Sequence, residues 1–117
     1  MFKRLGDTGA TLTLSVDGKP IRARIGDTVA AAMMAAGVGA CRTTPVSGAP
    51  RTPYCLMGVC FDCLVTVDGR SSQRACLTKV EAGMDVRSAP NASAQASAGA
   101  AKSTEEIACD VLVVGGG

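Results

Sequence analysis

Residues 55–76, CLMGVCFDCLVTVDGRSSQRAC, decide both the fold and the chemistry that this chain can support. The segment carries four cysteines in the pattern C-x4-C-x2-C-x12-C, namely Cys55, Cys60, Cys63 and Cys76. A C-x4-C-x2-C run with a distant fourth cysteine is the plant-type spacing for a [2Fe–2S] cluster. Two ferric ions bridged by two sulfides need four soft, anionic ligands, and thiolates supply them. Gly58 lies inside the loop, where a residue without a Cβ lets the backbone approach an inorganic core closely.

Three other roles for these cysteines stay open. A structural zinc site with four cysteines more often shows two C-x2-C pairs, whereas this segment has one. Disulfides suit an even number of cysteines, but residues 1–16 lack the apolar stretch of a secretory signal, so we expect a cytoplasmic and reducing location. Buried, inert thiols are the third alternative. Cys41 and Cys109 lie outside the pattern, and we expect each to be a free or packed thiol.

The composition excludes several classes of function. Histidine is absent from the 117 residues, which excludes Cys-His and Ser-His catalytic pairs, mixed Cys/His zinc sites and Rieske-type clusters. The net charge of +2, without a basic run, gives no support for nucleic-acid binding. No stretch of about 18 apolar residues is available to span a membrane. Only 3% of the residues are aromatic, so burial alone would stabilise a small domain marginally and metal ligation is expected to help.

The residues before the cysteines predict a hairpin followed by a helix. Apolar and polar residues alternate through residues 10–25 on both sides of Asp17-Gly18, a strong signal for a tight turn. We then expect a helix with Asp27 as its N-cap and Gly37 as its end. Its apolar stripe is formed by residues at helical spacing, which are Val29, Ala32, Met33 and Ala36.

A second hairpin is expected around the cysteines. Residues 37–58 are rich in Gly, Pro, Ser and Thr and predict a long irregular loop, which in a compact domain is usually functional or disordered. A strand is predicted at 63–67 with Asp68-Gly69 as its turn, residues 74–80 form a second cysteine-bearing stretch, and a short final strand is predicted at 84–86. Two hairpins then embrace one helix in an α+β domain. This domain is expected to cover residues 10–87.

The C-terminal residues have a different composition. Residues 88–106 are rich in Ala and Ser and predict a flexible linker. Residues 107–117 end in DVLVVGGG, an apolar strand running into glycines, as at the start of a dinucleotide-binding βα unit. We therefore interpret 107–117 as the start of a truncated or split FAD-binding, Rossmann-like segment.

Two stretches carry a family resemblance: RTTPVSGAPRTPYCLMGVCFDCLVTVDG at 42–69 and QRACLTKVEAGMDV at 73–86. They resemble the small (2Fe–2S)-binding subunits of heteromeric flavoprotein dehydrogenases of the opine, D-hydroxyproline and hydrogen cyanide synthase types. The resemblance covers residues 10–87 and implies a β-grasp, ferredoxin-like fold. It also implies one [2Fe–2S] cluster ligated by the four cysteines of residues 55–76.

The resemblance implies an electron-transfer role beside FAD-containing dehydrogenase subunits in a hetero-oligomer. FAD itself is expected only in the partner or in a missing downstream domain. No residue suggests an acid, base or nucleophile, so the chain alone is not expected to turn over a substrate. A zinc-stapled structural adaptor is the alternative, and a free-standing ferredoxin is disfavoured because such proteins are usually strongly acidic. Arg42, Arg51 and Arg74 flank the cysteines and either offset the charge of a cluster, dock an acidic partner or are simply solvated.

Overall fold

The computed structural model describes residues 9–88 and Val111. Seven strands and one helix follow one another in this part of the chain. Their bounds are β1 Thr11–Val16, β2 Lys19–Arg24, α1 Val29–Ala35, β3 Arg42–Thr43, β4 Pro50–Arg51, β5 Leu64–Val67, β6 Arg70–Arg74 and β7 Asp85–Ser88. The predictions for 88–106 and 107–117 fall outside the described residues, apart from Ser88 and Val111, and stay predictions.

Five strands form a mixed sheet in the order β2-β1-β7-β5-β6. The hairpins β1–β2 and β5–β6 are antiparallel, and β7 lies between them, parallel to β1 and antiparallel to β5. Both hairpins turn through an Asp-Gly pair with positive φ at each residue, as a type I′ turn requires. The predicted α+β, ferredoxin-like class is confirmed, although β6 and β7 lie a few residues from the predicted segments.

The helix begins one residue later than predicted. Thr28, not Asp27, is the N-cap, and its hydroxyl accepts a hydrogen bond from the Ala31 backbone N–H at 3.2 Å. The Asp27 carboxylate instead accepts from the backbone N–H of Arg24 at 2.9 Å, which closes the turn between β2 and α1. Gly37 ends the helix as predicted, with a φ of +76° that favours glycine.

The core lies between α1 and the sheet and is built from small side chains. Its largest fully buried members include Leu14, Met33 and Val65. Cys63 and Cys76 belong to the same core cluster, with exposed fractions of 2% and 5%. Two of the four cysteines of the motif therefore lie against the core.

Residues 37–58 are more regular than predicted, because β3 and β4 pair as a short antiparallel ribbon. The turn of the ribbon is closed by the Thr44 hydroxyl, which accepts from the Ala49 backbone N–H at 2.9 Å. Pro50 is compatible with the ribbon although proline has no N–H to donate. The hydrogen bond beside it is donated by the Thr44 backbone N–H to the Ala49 carbonyl. Within residues 9–88, no helix is long and apolar enough to cross a membrane.

Candidate metal centre

The loop of residues 55–63 has an unusual backbone. Leu56 and Phe61, which directly follow Cys55 and Cys60, both have a φ of 56°, and Gly58 has a φ of 85°. The left-handed region costs roughly 1–2 kcal/mol for a residue with a Cβ, so this conformation persists only where other contacts over-determine it. Successive N–H groups in such turns point toward one concave side and form a site for anions.

Cys55 has the thiol whose pKa this loop lowers. The backbone N–H groups of Met57, Cys60 and Val59 and the Cys60 thiol lie near its sulfur. Because such donors favour the thiolate, they lower the pKa of Cys55 from 9.0 to about 6, the Met57 N–H having the largest effect. The loop therefore prepares an anionic sulfur of the kind that a metal centre needs.

Cys63 and Cys76 form a second thiol pair, deeper in the domain. The Cys76 thiol lies near the Cys63 thiol, which raises its pKa, and near the Gly58 N–H, which lowers it. Burial, followed by the contact with Cys63, raises the pKa of Cys76, since both disfavour a second thiolate when no metal is bound. The backbone fixes this pair, because Ala75 N–H donates to the Cys63 carbonyl at 3.0 Å.

The four cysteines therefore come together as two contacting pairs, Cys55 with Cys60 and Cys63 with Cys76. Among residues 9–88, no group of three or more Cys, Asp or Glu side chains is placed to hold a single metal ion. A tetrahedral zinc site needs four donors around one ion, whereas a [2Fe–2S] core has two irons that share four thiolates. Four thiols supply the number and kind of ligands that a [2Fe–2S] core requires.

Gly58 lies in the cysteine loop and contacts residues of β6 and the segment that follows it. Its N–H points to Cys76, and its carbonyl accepts a hydrogen bond from Arg74 Nη1 at 3.1 Å. A Cβ at this position would lie 2.6 Å from Leu77 Cδ1, so Leu77 closes over the glycine. The Arg74 guanidinium also lies over the Phe61 ring, 5.5 Å from its centroid. Arg74 is exposed, and these two contacts link β6 to the cysteine loop.

Arg42 and Arg51 connect the loop to the β3–β4 ribbon through Asp62, the residue just before Cys63. Arg42 Nη2 lies 3.1 Å from Asp62 Oδ1, and Arg51 Nε lies 3.9 Å from the same oxygen. The arginines were predicted from the sequence as candidates, whereas Asp62 and Leu77 were not. An acidic residue inside the C-x2-C turn, with two arginines upstream, was the available signal for Asp62.

Cys41 packs in the core as a free thiol, as predicted, and is 1% exposed. Burial raises its pKa to about 12, and the nearby Cys63 and Cys76 add to this effect. The five described cysteines are all free thiols. Cys109 lies outside the described residues.

Comparison with known proteins agrees with this geometry. Residues 9–91 match the family described as the 2Fe-2S iron-sulfur cluster binding domain. The chain belongs to this family. Its resident cofactor is a [2Fe–2S] cluster, which confirms the cofactor predicted from the cysteine spacing and disfavours the zinc alternative.

Individual relatives support the assignment. The chain is 40% identical over 82 residues to the hydrogen cyanide synthase subunit HcnA of Pseudomonas protegens, covering 70% of this chain and 77% of that protein. It is 42% identical over 67 residues, 57% of this chain, to the sarcosine oxidase subunit alpha of Corynebacterium sp. strain P-1, of which the match covers 7%.

Among solved structures, the L-proline dehydrogenase of P. horikoshii matches 74% of this chain with a TM-score of 0.62 and 23% identity. The match covers 17% of that chain. At this identity the likeness shows the fold alone, which is the ferredoxin-like arrangement described above.

Proposed function

We propose that this chain is the iron–sulfur, electron-transfer component of an FAD-dependent dehydrogenase of the amino-acid or opine type. The single observation that carries the proposal is the preformed loop of a [2Fe–2S] family member, with two thiol pairs at different depths. When bound, such a cluster accepts and returns one electron at a time. The protein contributes the ligands, their hydrogen bonds and controlled access to solvent.

We propose Cys55, Cys60, Cys63 and Cys76 as the four ligands. Changing any of them to serine is expected to abolish or strongly perturb the iron and sulfide content and the visible charge-transfer bands. Cys41→Ser is the matched control, because Cys41 is also buried in the core but lies outside the two contacting pairs. Loss of iron from Cys41→Ser, or its retention in all four ligand variants, would contradict this ligand set.

The surface around the outer thiol pair supports docking of an electron donor. Large apolar side chains that are at least half exposed surround Cys55 and Cys60; they are Tyr54, Leu56, Met57, Val59, Phe61 and Leu77. We call this set the apolar rim. Exposed apolar side chains grouped in one loop are typical of a protein-binding surface. A partner that covers the apolar rim would bring its own cofactor close to the less buried side of the cluster.

The relatives support the nature of that partner. HcnA is named as one subunit of a synthase, and the matching domain forms a small part of both the sarcosine oxidase subunit and the proline dehydrogenase chain. This domain type therefore works beside larger catalytic parts. We propose that the partner carries FAD, in a separate subunit or in a domain that follows residues 107–117, and that the assembly is a hetero-oligomer.

The proposal is tested by mixing the cluster-loaded chain with each FAD-containing dehydrogenase subunit encoded in the same genome. Bleaching of the cluster bands is followed by stopped flow after anaerobic reduction of the flavin by substrate. Val59→Glu is expected to slow the reduction at least tenfold without loss of iron, because it places a charge in the apolar rim. Ile25→Glu is the matched control, since Ile25 is 68% exposed, Val59 is 67% exposed, and Ile25 directly follows β2. Failure of every reduced flavoprotein to bleach the cluster would refute the FAD partner.

A further inference from the structure

We propose that Asp62, anchored by Arg42, is a positioning residue that holds a backbone hydrogen bond on Cys60 and thereby sets the reduction potential of the cluster. The inference rests on the proposed function, because it requires Cys60 to be a ligand. It assigns a role to an ion pair outside the four cysteines and explains why the β3–β4 ribbon contacts the loop.

Asp62 contacts the site with its backbone and the ribbon with its side chain. Its backbone N–H donates to Cys60 Sγ, with the nitrogen 3.5 Å from the sulfur. Its carboxylate accepts from Arg42 Nη2 at 3.1 Å. Phe61, between the donor and the acceptor, has a φ of 56°, a conformation that relaxes unless neighbouring contacts hold it. The Arg42 contact is therefore placed to keep the Asp62 N–H directed at Cys60.

Burial makes Arg42 the stronger of the two possible anchors. The side chains of Arg42 and Asp62 are each 22% exposed, whereas that of Arg51 is 49% exposed and lies 3.9 Å from the same oxygen. An ion pair that is partly removed from water is screened less than an exposed pair. Arg42 Nε is also buried and makes no hydrogen bond within the described part of the chain, so Arg42 depends strongly on Asp62 for compensation.

The hydrogen bond on Cys60 has a predictable effect on redox behaviour. An N–H that donates to a ligating sulfur stabilises added negative charge, so it favours the reduced cluster and raises the potential. Loss of the anchor should therefore lower the potential. Lysine at position 42 keeps the charge, but a compact ammonium cannot reproduce the planar donor geometry of the guanidinium. The Arg42→Lys variant therefore changes the position of Asp62 while it keeps the positive charge near the cluster.

The experiment measures the midpoint potential and the EPR spectrum of the reduced cluster in the full chain and in Arg42→Gln, Arg42→Lys and Arg51→Gln. We expect Arg42→Gln to lower the midpoint potential, so that the ratio of reduced to oxidised cluster falls about tenfold at a fixed solution potential. For a one-electron couple this is a shift of about 59 mV. Arg42→Lys should shift the potential in the same direction and alter the g-values. Arg51→Gln removes the same charge from a more exposed site, so it should shift the potential less than half as far.

The outcomes separate this inference from the proposed function. Unchanged potentials and g-values in both Arg42 variants would overturn the role of Asp62 while leaving the cluster intact. Equal shifts in Arg42→Gln and Arg51→Gln, with none in Arg42→Lys, would also overturn it, because charge alone would then explain the data. If Arg42→Gln does not fold, Arg42→Lys still decides the matter. Absence of iron and sulfide from the unmodified chain would refute the proposed function itself.

Discussion

Replacing Gly58 with alanine tests whether the close contact between the cysteine loop and Leu77 organises the site. Two costs arise from the structure. The φ of +85° at Gly58 costs an L-residue roughly 1–2 kcal/mol. The new Cβ would also lie 2.6 Å from Leu77 Cδ1, and displacing that side chain from its rotamer costs about 0.5–1.5 kcal/mol.

Together these costs predict a loss of roughly 1.5–3.5 kcal/mol in the free energy of unfolding. For a domain of this size, such a loss lowers the Tm by on the order of 10 °C. The iron content should fall as well, because the Gly58 N–H lies near Cys76 and the Gly58 carbonyl accepts a hydrogen bond from Arg74. Thermal unfolding of the loaded protein, followed at the visible bands, and iron analysis measure the two effects.

Gly69→Ala is the matched control, because Gly69 has a φ of +78° and nothing lies within 4 Å of the position that a Cβ would occupy. It should show the cost of the backbone conformation alone and keep its iron. The double variant Gly58→Ala/Leu77→Ala should recover most of the difference between the two single variants. Equal Tm values and equal iron contents for Gly58→Ala and Gly69→Ala would refute the reasoning.

Three other predictions concern stability and thiol chemistry. Thr28→Ala should lower the free energy of unfolding in urea by about 1 kcal/mol, since it removes the N-cap of α1; no change would show that the cap is dispensable. Cys41 should resist alkylation in the folded protein at pH 8. Burial raises the pKa of Cys41 from 9.0 to about 12, so the stability contributed by the neutral Cys41 thiol is complete below pH 9 and is lost as the pH rises toward 12. Rapid alkylation of Cys41 at pH 8 would contradict its burial. Removal of iron and sulfide should lower the Tm, and equal Tm values for apo and loaded protein would show that the cluster does not stabilise the fold.

The sequence predicted the fold where a local rule sufficed. The alternation through β1 and β2 and the two Asp-Gly turns specify the hairpins, and they do so with residues close in sequence. The four cysteines of the motif were also recognisable, because the spacing of ligands around a [2Fe–2S] core is narrowly constrained. The structure places Cys55 near Cys60 and Cys63 near Cys76, and the assignment of these four cysteines as ligands stays a proposal.

The features that were not predicted correctly from the sequence depend on contacts between residues distant in the chain, or on which of two adjacent residues caps the helix. Asp27 and Thr28 are both good N-caps, and the turn after β2 decides between them, because the Asp27 carboxylate already accepts the Arg24 N–H. The β3–β4 ribbon forms in a proline-rich stretch because its turn is closed by Thr44. Asp62 was missed because its partner Arg42 lies 20 residues earlier in the chain.

The two thiol pairs also explain how a domain with few aromatic residues can hold a cluster and still exchange electrons. Cys63 and Cys76 lie in the core, so the ligation that we propose for them would add stability where the small side chains supply little. Cys55 and Cys60 are half-buried on a loop whose flanking residues are exposed and apolar. A fully buried cluster would be stable but distant from a partner, and a fully exposed one would be open to solvent. Gly58 and Asp62 maintain the intermediate arrangement, since the first ties the loop to Cys76 and the second ties it to the ribbon through Arg42.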